Sequence, residues 1–306
     1  MKKSSKKYIV GGSIVAFGLV LIIIAGCIGG WSMIWNFKGI SIDLSGVHYF
    51  DEENILQTKG ETIMSDGSVK NLKVDVDYGE LIIKTGDVKD VEINTRNILQ
   101  NKFKYEVDGD TLKVKYGSGF SFFSWRSNSY IEITLPKNSN FVTANIKNGA
   151  GRTEIDSINA DTLKMNNGAG EVVFTNVSVK DKLTMDNGAG AARLEDITCG
   201  KLDIDGGVGE IRAKNIICGD IDVNNGIGAF TFDGEINGDA NIDNGVGEIR
   251  INLYGDSSDY NFKIDSGIGN IKVNGNTPIQ STGGKYDFKI DTGVGEVRVN
   301  FEKKGD

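Results

Sequence analysis

Few side chains in this sequence could do covalent or acid–base chemistry. Among 306 residues there is one histidine, His48, and three cysteines, Cys27, Cys199 and Cys218. A single histidine in a polar stretch builds neither a histidine metal site nor a catalytic triad. Three cysteines make no disulfide framework. Cys199 and Cys218 stand at equivalent places in two successive repeats, which reads as small apolar packing; a disulfide between neighbouring parallel strands would be strained, and a metal would lack further ligands. The remaining candidates are the pairs Glu210 with Arg212, Glu248 with Arg250, and Glu296 with Arg298. A carboxylate beside a guanidinium resembles the acid and clamp of pectin-cleaving β-helices. A catalytic constellation occurs once, in a pocket, whereas this one recurs along the chain. It therefore reads as a solvated charge ladder that stabilises stacking modestly and discourages sideways strand addition. No catalytic residue, cofactor or metal ligand is assigned.

The pairs recur because the sequence does. "KNGAGRTEI" from Lys147 returns as "NNGAGEVVF", "DNGAGAARL", "DGGVGEIRA", "NNGIGAFTF", "DNGVGEIRI", "DSGIGNIKV" and "DTGVGEVRV". The first glycines are Gly149, Gly168, Gly188, Gly207, Gly226, Gly245, Gly267 and Gly293, spaced 19, 20, 19, 19, 19, 22 and 26 residues apart. A fixed period of this length signals a solenoid. The calcium-binding nonapeptide needs GGxGxD, and no copy places Asp there.

Within one unit, Leu163, Met165 and Asn167 alternate with polar or small residues, the period of a strand. The phase slips at Gly170, and Val172 and Phe174 become the apolar positions, which signals a corner. After Thr175–Asn176 a short third side begins at Val177. Such a unit cannot bury its own face, but stacked copies can. The expectation is an all-β, right-handed parallel β-solenoid with rungs of about 19–20 residues, behind a single N-terminal transmembrane helix. Stacking in chain order predicts three core columns: Leu163, Leu183, Leu202, Ile221; Met165, Met185, Ile204, Val223, Ile242, Ile264, Ile290; and Ala169, Ala189, Val208, Ile227, Val246, Ile268, Val294. A column of Asn148, Asn167, Asn187, Gly206, Asn225, Asn244, Ser266 and Thr292 should face inward and bond amide to amide. The third side should stack Ala160, Val179, Cys199, Cys218 and Gly238.

The N-terminus has another character. Lys2, Lys3, Lys6 and Lys7 precede a run without charge from Tyr8 to Phe37, long enough to span a bilayer. The lysines should remain cytoplasmic, with Trp31 and Trp35 at the outer interface. The sequence divides into a basic tail (1–7), a transmembrane signal anchor (8–35), a stalk (36–70), irregular opening rungs (71–147), regular repeats (148–300) and a charged tail (301–306). "IAGC" ending at Cys27 resembles a lipoprotein cleavage box, so lipidation of Cys27 is an alternative anchor. The net charge is −8 and the N-terminal segment is wholly basic, so the remainder is more acidic still, which disfavours nucleic acid as a partner. The expected partners are the membrane and an envelope protein or glycan.

Residues 103–116 read as a hairpin about Asp108–Gly109–Asp110. "GSGFSFFSWRSNS" places Phe120, Phe122, Phe123 and Trp125 in a Gly/Ser-rich loop that either covers the solenoid end or contacts a membrane or partner.

The order of basic N-terminus, apolar anchor, "VKNLKVDVDYGELIIKTGDVKDVEI", hairpin, "IEITLPKNSNF" and rungs of the form L-x-I-D-N-G-V-G-E-I-R resembles, over roughly residues 70–300, a bacterial β-strand-repeat family of unknown function labelled "putative adhesin", with relatives among LiaG-type envelope proteins. The resemblance implies a cell-envelope solenoid without catalytic residues. The function expected is a membrane-anchored, non-enzymatic binding or scaffold protein serving adhesion or envelope-stress signalling. A carbohydrate-active β-helix enzyme and an end-to-end polymerising module are the alternatives.

Overall fold

The computed structural model describes residues 40–43, 46–49, 55–56, 61–63, 69–117, 129–276 and 283–302. The expected anchor 8–35, Cys27, and the loop residues Phe120, Phe122, Phe123 and Trp125 lie outside them. Among the described residues no helix is long and apolar enough to cross a membrane. The chain forms two units, Met1–Phe50 and Asp51–Asp306. The first is described as an antiparallel hairpin of Ile40–Asp43 with Gly46–Tyr49.

The second unit is all-β and solenoid-like. Its strands pair in parallel with the equivalent strand one coil away. Strand Asn140–Asp156 lies beside Asn159–Ala189, followed by Ala192–Val208 and Ile211–Ile227. The pairings link almost every strand into one network, yet neighbours are equivalent segments of adjacent coils, so the result is a stack of open faces and not a barrel. Two inward columns before the glycine corner are almost fully buried, among them Leu163, Leu183, Leu202 and Ile221, and Met165, Met185, Ile204 and Val223. Two more follow the corner: Val172, Ala192, Ile211, Phe230 and Ile249, then Phe174, Leu194, Ala213, Phe232 and Ile251. Each large aliphatic or aromatic side chain buried in this way is worth roughly 1.5–3 kcal/mol.

The corner explains the phrase. The second glycine of the first seven copies has a positive φ, as at Gly209 (146°), where a Cβ would collide with the carbonyl oxygen of Gly190 one coil away. Only glycine allows the coils to close to strand spacing of about 4.8 Å. The same turn corrects the third expected core column. The residue between the two glycines is swung outward, so Ile227, Val246, Val294 and Ile268 are 39%, 45%, 43% and 70% exposed. A second corner stacks Ser157, Asn176, Asp196 and Asn215, all with φ between 53° and 59°. The next coil omits this residue, and the register slips between Lys214 and Ile216. Consequently Ile236, and not the expected Gly238, lies beside Cys218 on the third side.

The coil order departs from chain order at both ends. The coil 286–302 does not follow 260–273 in space; it lies between 240–254 and 260–273. Ile290 pairs with both Ile242 and Ile264, and Val297 with both Ile249 and Ile271. The expected neighbours Ile242 and Ile264 are therefore two coils apart. At the other end, strand Asn71–Val76 is flanked by Thr111–Tyr116 and by Asn140–Asp156, and Glu80–Gly86 by Tyr130–Pro136 and Asn140–Asp156. Regular stacking thus includes residues 71–86 and 140–147, which the sequence assigns to irregular rungs. The expected hairpin 103–116 is present: Phe103–Asp108 runs antiparallel to Thr111–Tyr116 on the outer side, as Val91–Arg96 does against Tyr130–Pro136.

Candidate functional site

A groove of about 910 Å³ runs along the glycine corner. Each of six successive coils contributes three residues to it, from Lys147–Gly149 to Asp243–Gly245, and Asp291 and Gly293 complete it. That Asp291 stands directly after Asp243 follows from the coil order. The first glycines form the floor. The outward column two residues before them forms a wall: Lys147, Asn166, Asp186, Asp205, Asn224, Asp243, Asp291. The wall is cationic at one end and acidic at the other. Lys147 lies 3.6 Å from Asp75, Lys164 reaches Asp186 at 3.0 Å, and Asn224 donates to Asp205 at 3.3 Å. Sequence reasoning does not single out this column; its signal is the residue two before each first glycine.

Beneath the floor the inward asparagines are buried, as expected. Asn167 donates to Asn187 at 2.7 Å and Asn225 to Asn244 at 2.9 Å. Gly206 interrupts the ladder. Asn187 and Asn225 also donate to the carbonyls of Gly190 and Gly228, tying the corner shut. These amides line the groove from its inner side and serve the turn, while the outward column forms its wall.

The Glu–Arg pairs form on the face beyond the corner. Glu210 accepts from Arg212 at 2.6 Å, Glu248 from Arg250 at 2.6 Å, and Glu296 from Arg298 at 2.8 Å. Glu171 bridges Arg152 and Arg193 of the coils on either side. The arginines are exposed and the glutamates partly so, and a solvated pair of this kind is worth at most about 1 kcal/mol. Among the described residues no group of three His, Cys, Asp or Glu side chains is placed to hold a metal ion.

Cys199 and Cys218 are in register on adjacent coils, reduced and buried. Burial pushes the Cys199 thiol up to about 12 and the Cys218 thiol further still. A thiol so far from ionisation is a poor nucleophile, which agrees with a packing role. Glu132 is held by three donors. Burial alone would raise it, but hydrogen bonds from Lys84 (2.9 Å), Tyr130 (2.8 Å) and Asn94 (3.4 Å) leave it below the usual range. Arg96 covers the Tyr130 ring at 4.1 Å, so this network is internally satisfied.

The model of one protein family matches residues 69–302, nearly the whole second unit. The chain belongs to the Toastrack DUF4097 family. Among solved structures, a "putative cell adhesion protein" of Clostridium sporogenes is similar at 15% identity, covering 80% of this chain and 98% of that one, with a TM-score of 0.23. A "putative adhesin" of Bacteroides fragilis matches at 14% identity over 79% and 95%, with a TM-score of 0.42. A "putative lipid binding protein" of Parabacteroides distasonis matches at 16% identity over 80% and 96%, with a TM-score of 0.34. No curated protein matches. The Toastrack match begins two residues before strand Asn71–Val76 and ends with strand Val297–Glu302. It therefore takes in both of the inserted coils.

Proposed function

We propose that this Toastrack protein is a non-enzymatic binding scaffold of the bacterial cell envelope. The apolar run Tyr8–Trp35 holds it in the membrane, and the right-handed solenoid lies outside the cytoplasm. The observation that carries the reading is the groove: seven coils present the same two outward positions at a constant spacing, which suits an extended partner held by many equivalent contacts. A glycan strand or an extended segment of an envelope protein has that form. The outward columns repeat from coil to coil, and this repetition supports binding over catalysis, which needs a single asymmetric constellation.

Two measurements test this. Full-length protein in nanodiscs is titrated with isolated envelope glycan strands and screened against envelope proteins, in parallel with Asp205→Lys/Asp243→Lys/Asp291→Lys. Binding that the triple variant loses supports the groove; binding that the variant retains places it elsewhere. Protease protection of tags at Met1 and Asp306 in intact cells tests the topology, and exposure of both tags on one side of the membrane refutes it.

A further inference from the structure

The coil order at the two ends has a mechanical meaning. In a solenoid stacked in chain order, the first and last coils are held along one edge only. Such coils depend on a single neighbour and peel away one at a time. Here neither chain end leads into such a coil. At the C-terminal end, strand Tyr286–Val294 is hydrogen-bonded to Ala240–Val246 on one edge and to Tyr260–Ile268 on the other. Val297–Glu302 lies between Ile249–Tyr254 and Ile271–Val273. At the N-terminal end, Asn71–Val76 and Glu80–Gly86 are held in the same way by the coils 111–136 and 140–156. Among the described residues of this unit, two short strands precede them: Ile55–Leu56, antiparallel to Ile98–Leu99, and Glu61–Ile63, antiparallel to Val91–Ile93.

We infer that the inserted coils are a mechanical clasp, which makes the domain load-bearing along a line through its two chain ends. Tension on Glu302 must break two interfaces at once. Removing 286–302 also leaves 260–273 without a neighbour, so the two coils leave together. Side chains join them further. Phe288 is fully buried, with the Tyr260 and Phe262 rings 5.6 and 5.4 Å away. Phe301 lies 5.7 and 5.5 Å from the same two rings. The Tyr260 hydroxyl crosses the inserted level to donate to the carbonyl of Ile236 at 2.5 Å. Asn274 accepts from the backbone N–H of Phe301 at 2.9 Å and its own N–H donates to Val299. At the other end the Tyr78 ring packs 5.3 Å from Tyr116 on the outer coil. The inference rests on these pairings alone and is independent of what the groove binds.

Single-molecule force spectroscopy on the full chain in detergent tests the clasp by changing only the points of attachment. In one geometry the handles join at Lys70 and Glu302, where the inserted coils begin and end. In the other they join at the turns of Gly109 and Gly275, where the surroundings are open, so that the outer coils are pulled first. We expect the Lys70/Glu302 geometry to give the higher first rupture force and to release several coils in one step. An equal or lower force overturns the clasp, as does a first step of about 60 Å, the extended length of 286–302 alone. A second arm deletes Thr277–Gly283, which restores the 19-residue spacing and moves 286–302 to the end of the stack. If this variant folds and keeps the full rupture force at Lys70/Glu302, the inserted order is not its source.

Discussion

Asn300 donates to the side chain of Asn252 at 3.1 Å, although 48 residues separate them and a whole coil intervenes in the sequence. In chain order Asn252 would face Asn274. The two arrangements are chemically close, because Ile251, Val273 and Val299 are interchangeable in the same column. Disulfide trapping decides between them. In a Cys199→Ala/Cys218→Ala background, Asn252→Cys/Asn300→Cys should close a disulfide under a strong oxidant, strained though a bridge between neighbouring parallel strands is. Asn252→Cys/Asn274→Cys should not, since two strand spacings of about 4.8 Å exceed the roughly 7 Å limit between bridged Cα atoms. The reverse result would restore the sequential order.

Glycine substitutions should divide by surroundings. Gly209→Ala drives a methyl into the backbone of the coil before it. It should cost more than about 4 kcal/mol or prevent folding, a magnitude reserved for severe core strain. Gly109→Ala meets nothing, though φ is 61°, and should cost only about 1–2 kcal/mol. Urea unfolding of the two variants measures the difference, and comparable losses would contradict the close approach at the corner.

Adjacent aliphatic positions should behave oppositely. Val246 is 45% exposed, whereas Ile249, three residues on, is fully buried. Ile249→Ala should lose about 2–5 kcal/mol. Val246→Ala should change stability by no more than about 0.5 kcal/mol. Equal losses would return the Val246 column to the core.

The two thiols predict an alkaline weakness. Their folded-state values are raised, so the stability they contribute is complete below the unfolded value near 9 and is lost as pH rises toward the folded value of about 12 for Cys199. Above pH 9 each thiol should cost up to roughly 1.4 kcal/mol per pH unit. The melting temperature should therefore fall between pH 8.5 and 10 in the wild type and fall less in Cys199→Ala/Cys218→Ala. At pH 8, iodoacetamide should leave both thiols unmodified until the domain unfolds. Rapid labelling of the native protein would show that they are accessible.

Much of this fold is legible in the sequence because its cause is local. Alternation at Leu163–Asn167 and the slip at Gly170 follow from strand geometry and from the φ that the second glycine must adopt. The outward swing of Ile227 and Val246 is not legible from apolarity, since Val and Ile at a corner read as core; only the positive φ on their C-terminal side reveals it. The displaced order of the last coils leaves a trace in the spacings of 22 and 26. Three and seven extra residues beyond the 19-residue unit give the chain room to run one level too far and climb back. The pairing energies themselves could not reveal it, because Ile264 and Ile290 fit beneath Ile242 equally well. The groove was hidden for a related reason: its outward residues vary among Lys, Asn and Asp, and only their common distance from the first glycine unites them.

The specialised coils sit at the two extremities, while those between 140 and 254 repeat one pattern in chain order. Tandem duplication of one 19-residue segment in that middle region would lengthen the molecule by about 4.8 Å without disturbing either terminus. Relatives could therefore diverge in reach, copy by copy, as a ruler is extended, with their two ends inherited unchanged.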